Sequence, residues 1–352
     1  MQDAINQKKI AILATGANGC CIAADLTTSD LDVVLIDQWA EHVDKMQRTG
    51  LSIITNEESY NIKVRAYHLG DVCTIKDKFD IVFLTSKAYD SRWLTEFIKP
   101  YLAKDGLLIA VQNCMTAEMI GKIVGVERTL GCVVELSSQL FQPGEVKRNT
   151  LKENTWFGLG SFDISHTKRL PEVQQILSYS GKVDLTDDIL SAKWMKLIVN
   201  AMTMAIKAIL VMTNEEVFHL NGNEYAQKVQ RLFIKAGEEA LTAGQVMGYK
   251  LVPIFGLEAD EVKNTNNLLE TLLDKIVTDV GPTAVNTVLQ DHIKGRYSEV
   301  DMINGIVAEE SYSKNKAAPV SEMLVDLTHQ IYSGELKPSK DNLQLMYKNL
   351  NL

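Results

Sequence analysis

The first candidate for chemistry is a lysine in an otherwise apolar helical segment near the middle of the chain. In SAKWMKLIVNAM, Lys196 and Asn200 are four residues apart, so they share one face of the predicted helix. A lysine among apolar neighbours needs a partner or a function, and its ammonium group can protonate a carbonyl oxygen while Asn200 holds the substrate. A lysine that extends to solvent fits the same pattern, and periodicity alone favours that simpler interpretation.

Further polar residues follow predicted buried strands, where parallel-sheet enzymes place functional groups. Lys87 follows DIVFLTS and can attract a carboxylate or a phosphate, whereas Asn113 follows LLIAVQ and can bind a ribose or a substrate. A solvated charge explains Lys87 equally well, and a helix cap explains Asn113. Later in the chain, Glu299 follows Thr287 and precedes an apolar helical segment. It is either a first-turn helix charge or an acid that hydrogen-bonds the lysine or a bound water.

The N-terminal stretch predicts a bound dinucleotide. Lys9–Gly19 (KIAILATGANG) has the pattern of a buried strand, a glycine turn and a helix start. The next predicted strand is followed by Asp37, 18 residues after Gly19. In the motif G-x-G-x-x-G the first glycine is replaced by Ala14, so the match is partial, and a plain strand–turn–helix is the alternative. Glycines let the backbone approach a pyrophosphate at the helix N-terminus. We therefore assign cofactor binding to Ala14, Thr15, Gly16, Ala17, Asn18, Gly19, Asp37 and Gln38.

Strand and helix patterns alternate through the first half of the chain, which predicts a mostly parallel sheet covered on both faces. Strands are predicted at Val33–Ile36, Leu51–Thr55, Ile62–His68, Asp80–Thr85, Leu107–Val111 and Thr129–Glu135, and helices at Glu41–Arg48, Tyr89–Leu102 and Met115–Val124. The turn signal Pro143-Gly144 within Phe141–Gly160 predicts an antiparallel hairpin that closes the sheet.

From about Asp187 the pattern becomes helical. Helices are predicted at Ile189–Met212, Asn223–Met247, Leu268–Val280, Val300–Asn315 and Pro319–Ser333, with a break at Gly281-Pro282 and a loop-rich insertion at Lys250–Thr265. We predict an α/β protein in which an N-terminal Rossmann-type doubly wound sheet, residues 1–186, binds NAD(P). An all-α C-terminal domain, residues 187–352, serves substrate binding and dimerisation, with the active site expected between the two.

Composition narrows the class of protein further. The 352 residues carry a net charge of −9, which argues against a general nucleic-acid-binding protein and requires a local basic pocket for an anionic substrate. The five cysteines form no C-x-x-C pair, and no histidine or cysteine pair has metal-site spacing, so we predict a reducing cytoplasm and no metal. No signal region begins the chain, and the apolar stretch Leu197–Met212 is short for a membrane span.

Together these segments resemble the ketopantoate reductase family. The resemblance rests on KIAILATGANG, FLTSKAYD, AVQNCM, QLFQPGEVKRNT, KWMKLIVNAM and TVLQDHIKGRYSEVDMING, which follow the family's order and approximate spacing over nearly the whole chain. It implies that a nicotinamide cofactor reduces a 2-keto acid to a 2-hydroxy acid, with Lys196 as general acid and Glu299 in support. It also implies that Lys87 and Asn113 line the cofactor cleft, and that the substrate contacts Asn113, Asn200, Met204 and Thr287.

Three positions depart from the family pattern. Ala14 replaces a fingerprint glycine, Cys114 replaces the glycine after Asn113, and Met204 replaces a second asparagine that often lies one turn beyond Asn200. Loss of an amide that binds a hydroxyl costs roughly 1–3 kcal/mol of binding when its partner stays buried. Ketopantoate carries a hydroxyl, so the alternative is a more apolar 2-keto acid, of the kind used by D-mandelate-type 2-hydroxyacid dehydrogenases.

Asp37, the acidic residue after the second predicted strand, also indicates which nicotinamide cofactor is bound. Asp37 can accept hydrogen bonds from ribose hydroxyls and would repel a 2′-phosphate, and Gln38 adds no positive charge, which predicts NADH over NADPH. A nucleotide sensor without activity and an opine-type dehydrogenase are the competing interpretations; the retained Lys196 and Glu299 argue against a sensor. We expect a homodimer that acts on a small molecule, without a nucleic-acid or membrane partner.

Overall fold

The chain divides into two units, Met1–Leu190 and Ser191–Leu352, in a computed structural model. The structure describes residues 5–162, 164–213, 216, 223–263, 268–279 and 285–352. The division falls four residues after the predicted boundary at 186/187, inside the helix Ile189–Ile209.

The first unit is built on an eight-stranded sheet. In spatial order its strands are Lys182–Leu185, Trp156–Ser161, Thr129–Glu135, Leu102–Ala110, Phe79–Leu84, Lys9–Leu13, Asp32–Asp37 and Arg65–His68. All neighbours are parallel except Trp156–Ser161 against Thr129–Glu135. The predicted Rossmann-type sheet is confirmed, and Lys9–Leu13 lies where the strand order reverses, which is where such sheets bind ligands.

Two apolar cores cover opposite faces of this sheet. Ile10 and Ile12 belong to one core, whereas Ala11 and Leu13 belong to the other, and all four side chains are fully buried. Successive side chains of a strand point to opposite faces, so a strand buried on both faces must be continuously apolar, as KIAIL is. The α-helices of this unit are Ala17–Thr28, Ala40–Thr49, Ser91–Ile98, Ala117–Val124 and Leu170–Leu177.

A second, four-stranded sheet corrects two predictions. Its strands, in spatial order, are Ser59–Ile62, Leu51–Ile54, Glu145–Arg148 and Ser138–Gln142. The predicted single strand Ile62–His68 is wrong, because the chain leaves this sheet after Ile62 and enters the large one at Arg65. The predicted Pro143-Gly144 hairpin exists but belongs to the small sheet and does not close the large one. Alternating apolar residues indicate a strand but not the sheet that it joins.

Among its described residues, the second unit contains helices joined by loops and no β-strand. Its α-helices are Ile189–Ile209, which begins in the first unit, Glu224–Met247, Ala259–Lys263, Leu268–Asp279, Thr287–Ile293, Ile306–Ser313, Pro319–Ser333 and Asn342–Asn349. The predicted helix Val300–Asn315 opens with a π-turn over Asp301–Gly305. The predicted loop-rich insertion contains the helix Ala259–Lys263. The predicted break at Gly281-Pro282 lies outside the described residues.

Several element boundaries also differ from prediction. The helix predicted at Tyr89–Leu102 covers only Ser91–Ile98, because Pro100 cannot continue a helix and Leu102 begins a strand. Leu170–Leu177, Thr287–Ile293 and Asn342–Asn349 were not predicted as helices. Each has only seven or eight residues, which is too short for a strong periodic pattern.

One described helix, Ile189–Ile209, is long and apolar enough to cross a membrane, with a mean hydropathy of 1.3 in its most apolar window. However, 89% of that window is buried inside the fold. The buried Lys196, Asn200 and Lys207 lie on the same helix, and charged and amide groups are expensive in lipid. These features are those of a core helix.

Candidate active site

The turn after the first strand begins with a residue in a left-handed conformation. Ala14 adopts a left-handed conformation with a φ of 61°, which a glycine would adopt without steric cost. Its N–H donates to the carbonyl of Ile36 (2.8 Å), and its carbonyl accepts from the N–H of Gly16 (2.8 Å) and the hydroxyl of Thr85 (2.8 Å). The alanine is therefore accommodated in the turn, and three hydrogen bonds hold it there.

The two remaining glycines of the motif have different roles. A Cβ on Gly16 would meet nothing within 4 Å, so the backbone there is open to a ligand. Gly16 also caps the helix Ala17–Thr28 without a side-chain hydrogen bond, and the first turn has no acidic residue, which leaves its N–H groups suited to an anion. A Cβ on Gly19 would lie 2.3 Å from the Thr85 Oγ1 atom, so Gly19 is required for helix-to-sheet packing.

A buried histidine, which the sequence analysis did not identify, stabilises the same turn through hydrogen bonds. Because the N–H of Gly144 donates to the Nδ1 atom of His42 (2.8 Å), the ring proton is on Nε2, which donates to the carbonyl of Thr15 (3.1 Å). Burial lowers the pKa of His42, consistent with a neutral ring.

The Cys20 thiol also donates to the carbonyl of Thr15 (3.1 Å). Burial raises the pKa of Cys20 well above its usual range and that of Cys21 to about 12, so both thiols are structural.

The predicted ribose-binding acid lies at the end of the second strand. The Asp37 carboxylate is buried and accepts hydrogen bonds from the N–H of Trp39 (2.8 Å) and the hydroxyl of Thr15 (3.4 Å). Burial raises its pKa above the ordinary aspartate value. A carboxylate has about four acceptor positions, so these contacts and a further one from the N–H of Gln38 leave capacity for a ribose hydroxyl. Gln38 is exposed, and Asn18 is held by a hydrogen bond from Ser138.

Lys87 and Asn113 follow neighbouring strands of the large sheet, as expected for residues at one sheet edge. Both are half-buried, and the Oδ1 atom of Asn113 accepts from the N–H of Val134 at 3.4 Å. The adjacent Gln112 ties the two strand ends together. Its amide donates to the hydroxyls of Ser86 (3.2 Å) and Ser91 (2.9 Å) and accepts from Thr116 (3.1 Å).

In the second unit, the helix Ile189–Ile209 buries the predicted catalytic lysine. Lys196 is only 3% exposed, so the simpler interpretation of a lysine that extends to solvent is wrong. Its Nζ atom lies 4.6 Å from the ring centroid of Phe255, a residue that sequence reasoning missed. Asn200, one turn later, is 1% exposed, and its Nδ2 atom has no hydrogen-bond partner among the described residues. A buried amide donor left open is suited to a ligand oxygen.

Two contacts connect later segments of the second unit to the helix Ile189–Ile209. The Thr287 hydroxyl lies 3.6 Å from the sulfur of Met204, so these two positions are in contact although 83 residues separate them. The amide of Asn304 donates to the carbonyl of Ala201 (3.1 Å) and ties the π-turn Asp301–Gly305 to the same helix. Glu299, half-buried, lies just before that turn. Asn304 was missed because an Asn-Gly pair in sequence indicates only a turn.

The predicted residues therefore form two sets. The first unit contains the turn Ala14–Gly19 with Asp37, Gln38, Lys87 and Asn113; the second contains Lys196, Asn200, Met204, Thr287 and Glu299. The first set can hold a dinucleotide, and the second combines a buried cation with an open amide donor. Within the described residues, no group of three histidine, cysteine, aspartate or glutamate side chains could hold a metal ion.

Two family models match this chain, one in each half. A family model described as "Ketopantoate reductase PanE/ApbA" matches residues 10–161, and the corresponding C-terminal model matches residues 188–332. The 2-dehydropantoate 2-reductase of Pyrococcus horikoshii is 25% identical over 323 residues, which cover 90% of this chain and 95% of that protein.

Two solved structures have a similar fold. D-mandelate dehydrogenase with NADH and anilino(oxo)acetate has a TM-score of 0.80 at 22% identity, covering 93% of this chain and 99% of its own. A dimeric ketopantoate reductase from Staphylococcus aureus has a TM-score of 0.68 at 18% identity, covering 93% of this chain and 99% of its own. At these identities the structures show a shared fold.

Proposed function

The chain belongs to the ketopantoate reductase family, and on that premise we propose that it is a nicotinamide-dependent reductase of a 2-keto acid, producing a 2-hydroxy acid. The observation that carries the proposal is the pairing of a buried Lys196 with the open amide donor of Asn200 on one helix. A sensor that only binds nucleotide would not require a buried ammonium group.

The first unit fits the nicotinamide cofactor, which supplies a hydride when it is bound. The open space over Gly16 and the uncapped helix N-terminus after it fit a pyrophosphate. The free acceptor capacity of Asp37 fits a ribose. Lys87 and Asn113 are proposed to complete this half of the site, because they follow neighbouring strands at the ligand-binding edge of the sheet.

In the second unit, Lys196 is proposed to donate a proton from Nζ to the ketone oxygen as the carbonyl carbon is reduced. Negative charge that develops on that oxygen is stabilised by the nearby ammonium, which contributes most where water is excluded. Asn200 would donate from its open Nδ2 atom to a substrate oxygen. Glu299 is proposed to support the lysine and the substrate.

The proposed function is tested by NADH consumption over a panel of 2-keto acids that includes ketopantoate, phenylglyoxylate and branched aliphatic keto acids, with and without added amino acids. Formation of the 2-hydroxy acid supports the proposal. Turnover only in the presence of an amino acid indicates an opine-type dehydrogenase. Cofactor binding without turnover across the whole panel indicates a sensor and contradicts the proposal.

The substrate class is proposed to depend on Met204. Its thioether contacts the Thr287 hydroxyl at a position where an amide would bind a substrate hydroxyl, which favours an apolar 2-keto acid. We expect Met204→Asn to raise kcat/KM for ketopantoate relative to 4-methyl-2-oxopentanoate by about tenfold, since a buried hydroxyl left without a partner costs about 1–3 kcal/mol. Steady-state kinetics with both substrates measure this ratio. Met204→Leu is the control, and an equal ratio in both variants contradicts the assignment.

The cofactor is proposed to be NADH, because the Asp37 carboxylate would lie near a 2′-phosphate and repel it. We expect wild-type initial rates at pH 8 to be higher with NADH than with NADPH. Asp37→Asn keeps the hydrogen-bonding shape without the charge and should lower the NADH-to-NADPH ratio of kcat/KM by about tenfold, since two like charges 4 Å apart repel by about 1–4 kcal/mol. A wild-type preference for NADPH, or an unchanged ratio in Asp37→Asn, would contradict this role. Asp184→Asn, on the edge strand Lys182–Leu185, is a charge-matched control.

We also propose that the protein is a homodimer in the cytoplasm. The supporting facts are the helical second unit, the S. aureus relative described as dimeric, and the buried position of the long apolar helix Ile189–Ile209. Sedimentation equilibrium distinguishes a dimer from a monomer.

A further inference from the structure

An unusual turn lies between the helices Glu224–Met247 and Ala259–Lys263. The N–H of Leu257 donates to the carbonyl of Ile254 (3.0 Å), which closes a four-residue turn. Both central residues have positive φ, 58° at Phe255 and 73° at Gly256, as in a type I′ turn. The first central position of such a turn favours glycine, asparagine or aspartate, so a bulky aromatic residue there is a conformational outlier.

The aromatic ring in this strained position contacts the lysine of the candidate site. Phe255 is 6% exposed, and its ring centroid lies 4.6 Å from the Nζ atom of Lys196, itself 3% exposed. The face of an aromatic ring attracts a cation through its quadrupole, and the attraction is strongest where both groups are removed from water. A strained backbone that places a side chain against a reactive group is typical of functional sites, where the surrounding structure maintains the strain.

We propose that Phe255 is a positioning residue for Lys196: its ring face holds the Nζ group in one place for proton donation. This inference rests on the proposed function of Lys196 as general acid. The ring of Phe255 packs against the Nζ atom of Lys196 at 4.6 Å, which restricts where that atom can lie. A leucine at position 255 would fill much of the same volume but has no quadrupole to hold the cation.

The kinetic test compares Phe255→Leu with Phe255→Tyr, which keeps the aromatic face. We expect kcat for the best 2-keto acid to fall about tenfold in Phe255→Leu with KM within about twofold of wild type, and kcat in Phe255→Tyr to stay within about threefold of wild type. A loss of packing alone would not be rescued by tyrosine and would not affect kcat selectively. Equal kcat values in wild type and Phe255→Leu would overturn the proposal.

The chain offers a matched control contact. Lys228 lies 5.4 Å from the ring centroid of Tyr347 in the same unit, but its side chain is 41% exposed and outside the candidate site. Tyr347→Leu removes that cation–π contact and the hydrogen bond from the Tyr347 hydroxyl to the carbonyl of Lys228 (3.0 Å), and we expect kcat to remain at the wild-type value. If kcat fell as far as in Phe255→Leu, a general loss of packing in this unit would explain the slower turnover, and the position of Lys196 would not. That result would overturn the proposal.

A spectroscopic test does not depend on turnover. In lysine-labelled protein without substrate, the ε-methylene protons of Lys196, assigned with Lys196→Arg, should be shifted upfield by the ring in wild type and Phe255→Tyr but not in Phe255→Leu. If no keto acid is reduced, the proposed function fails, while the NMR comparison still decides whether Phe255 holds Lys196. An ordinary ε-methylene shift in wild type overturns the inference.

Discussion

Lys196→Met is expected to lower kcat by about 10²–10⁴-fold, the usual contribution of a positioned general acid. Methionine keeps the length and apolar stem of lysine but has no proton to donate, so the alkoxide would form without neutralisation. Stopped-flow reduction of the preferred keto acid with saturating NADH measures kcat, and circular dichroism checks the fold.

The control for Lys196→Met is Lys228→Met, which removes a lysine that also contacts an aromatic ring but lies on the surface, on the helix Glu224–Met247. We expect no change in kcat for this variant. If Lys196→Met retains wild-type kcat, Lys196 has no part in proton transfer, and the buried ammonium must be explained as a structural group. Cofactor affinity should be equal in wild type and Lys196→Met, since the proposed cofactor residues all belong to the first unit.

The parts of the fold that follow from local sequence were predicted best. The order strand, glycine turn, helix, strand is confirmed over Lys9–Leu13, Ala17–Thr28 and Asp32–Asp37, because a continuous apolar run and a turn rich in small residues each specify their own structure. The long helices Glu224–Met247 and Pro319–Ser333 were predicted within one residue for the same reason.

What could not be predicted depends on contacts between distant residues. The hydrogen bond from Gly144 to His42 spans 102 residues, and that from Asn304 to Ala201 spans 103. From the sequence alone, Gly144 and Asn304 look like ordinary turn residues and His42 like an ordinary helix residue. No local pattern therefore indicates either contact. The contact of Phe255 with Lys196 is equally invisible in sequence, because a phenylalanine beside a glycine and near a proline indicates only a loop.

The same limit applies to the buried ion pair that anchors the first helix. Arg148 and Asp25 are 2% and 8% exposed, and the Nη1 atom of Arg148 donates to both carboxylate oxygens of Asp25 at 3.0 and 2.8 Å. Ser180 also donates to Asp25 (2.6 Å), while Arg148 donates to the carbonyl of Thr150 (2.9 Å) and the hydroxyl of Thr155 (3.1 Å). Burial alone would lower the pKa of Arg148, but the Asp25 carboxylate outweighs it and raises that pKa.

Breaking this pair should destabilise the first unit strongly. Arg148→Met leaves the Asp25 carboxylate buried without its cation, which typically costs about 3–5 kcal/mol in the free energy of unfolding. The double variant Asp25→Leu/Arg148→Met removes both charges and should recover most of that loss, because no charge then remains buried. Urea unfolding at pH 7 measures the three proteins. Asp25 lies on the helix Ala17–Thr28, and Arg148 lies on the strand Glu145–Arg148. Equal destabilisation in the single and double variants would show that side-chain packing, not the charge pair, holds these two elements together.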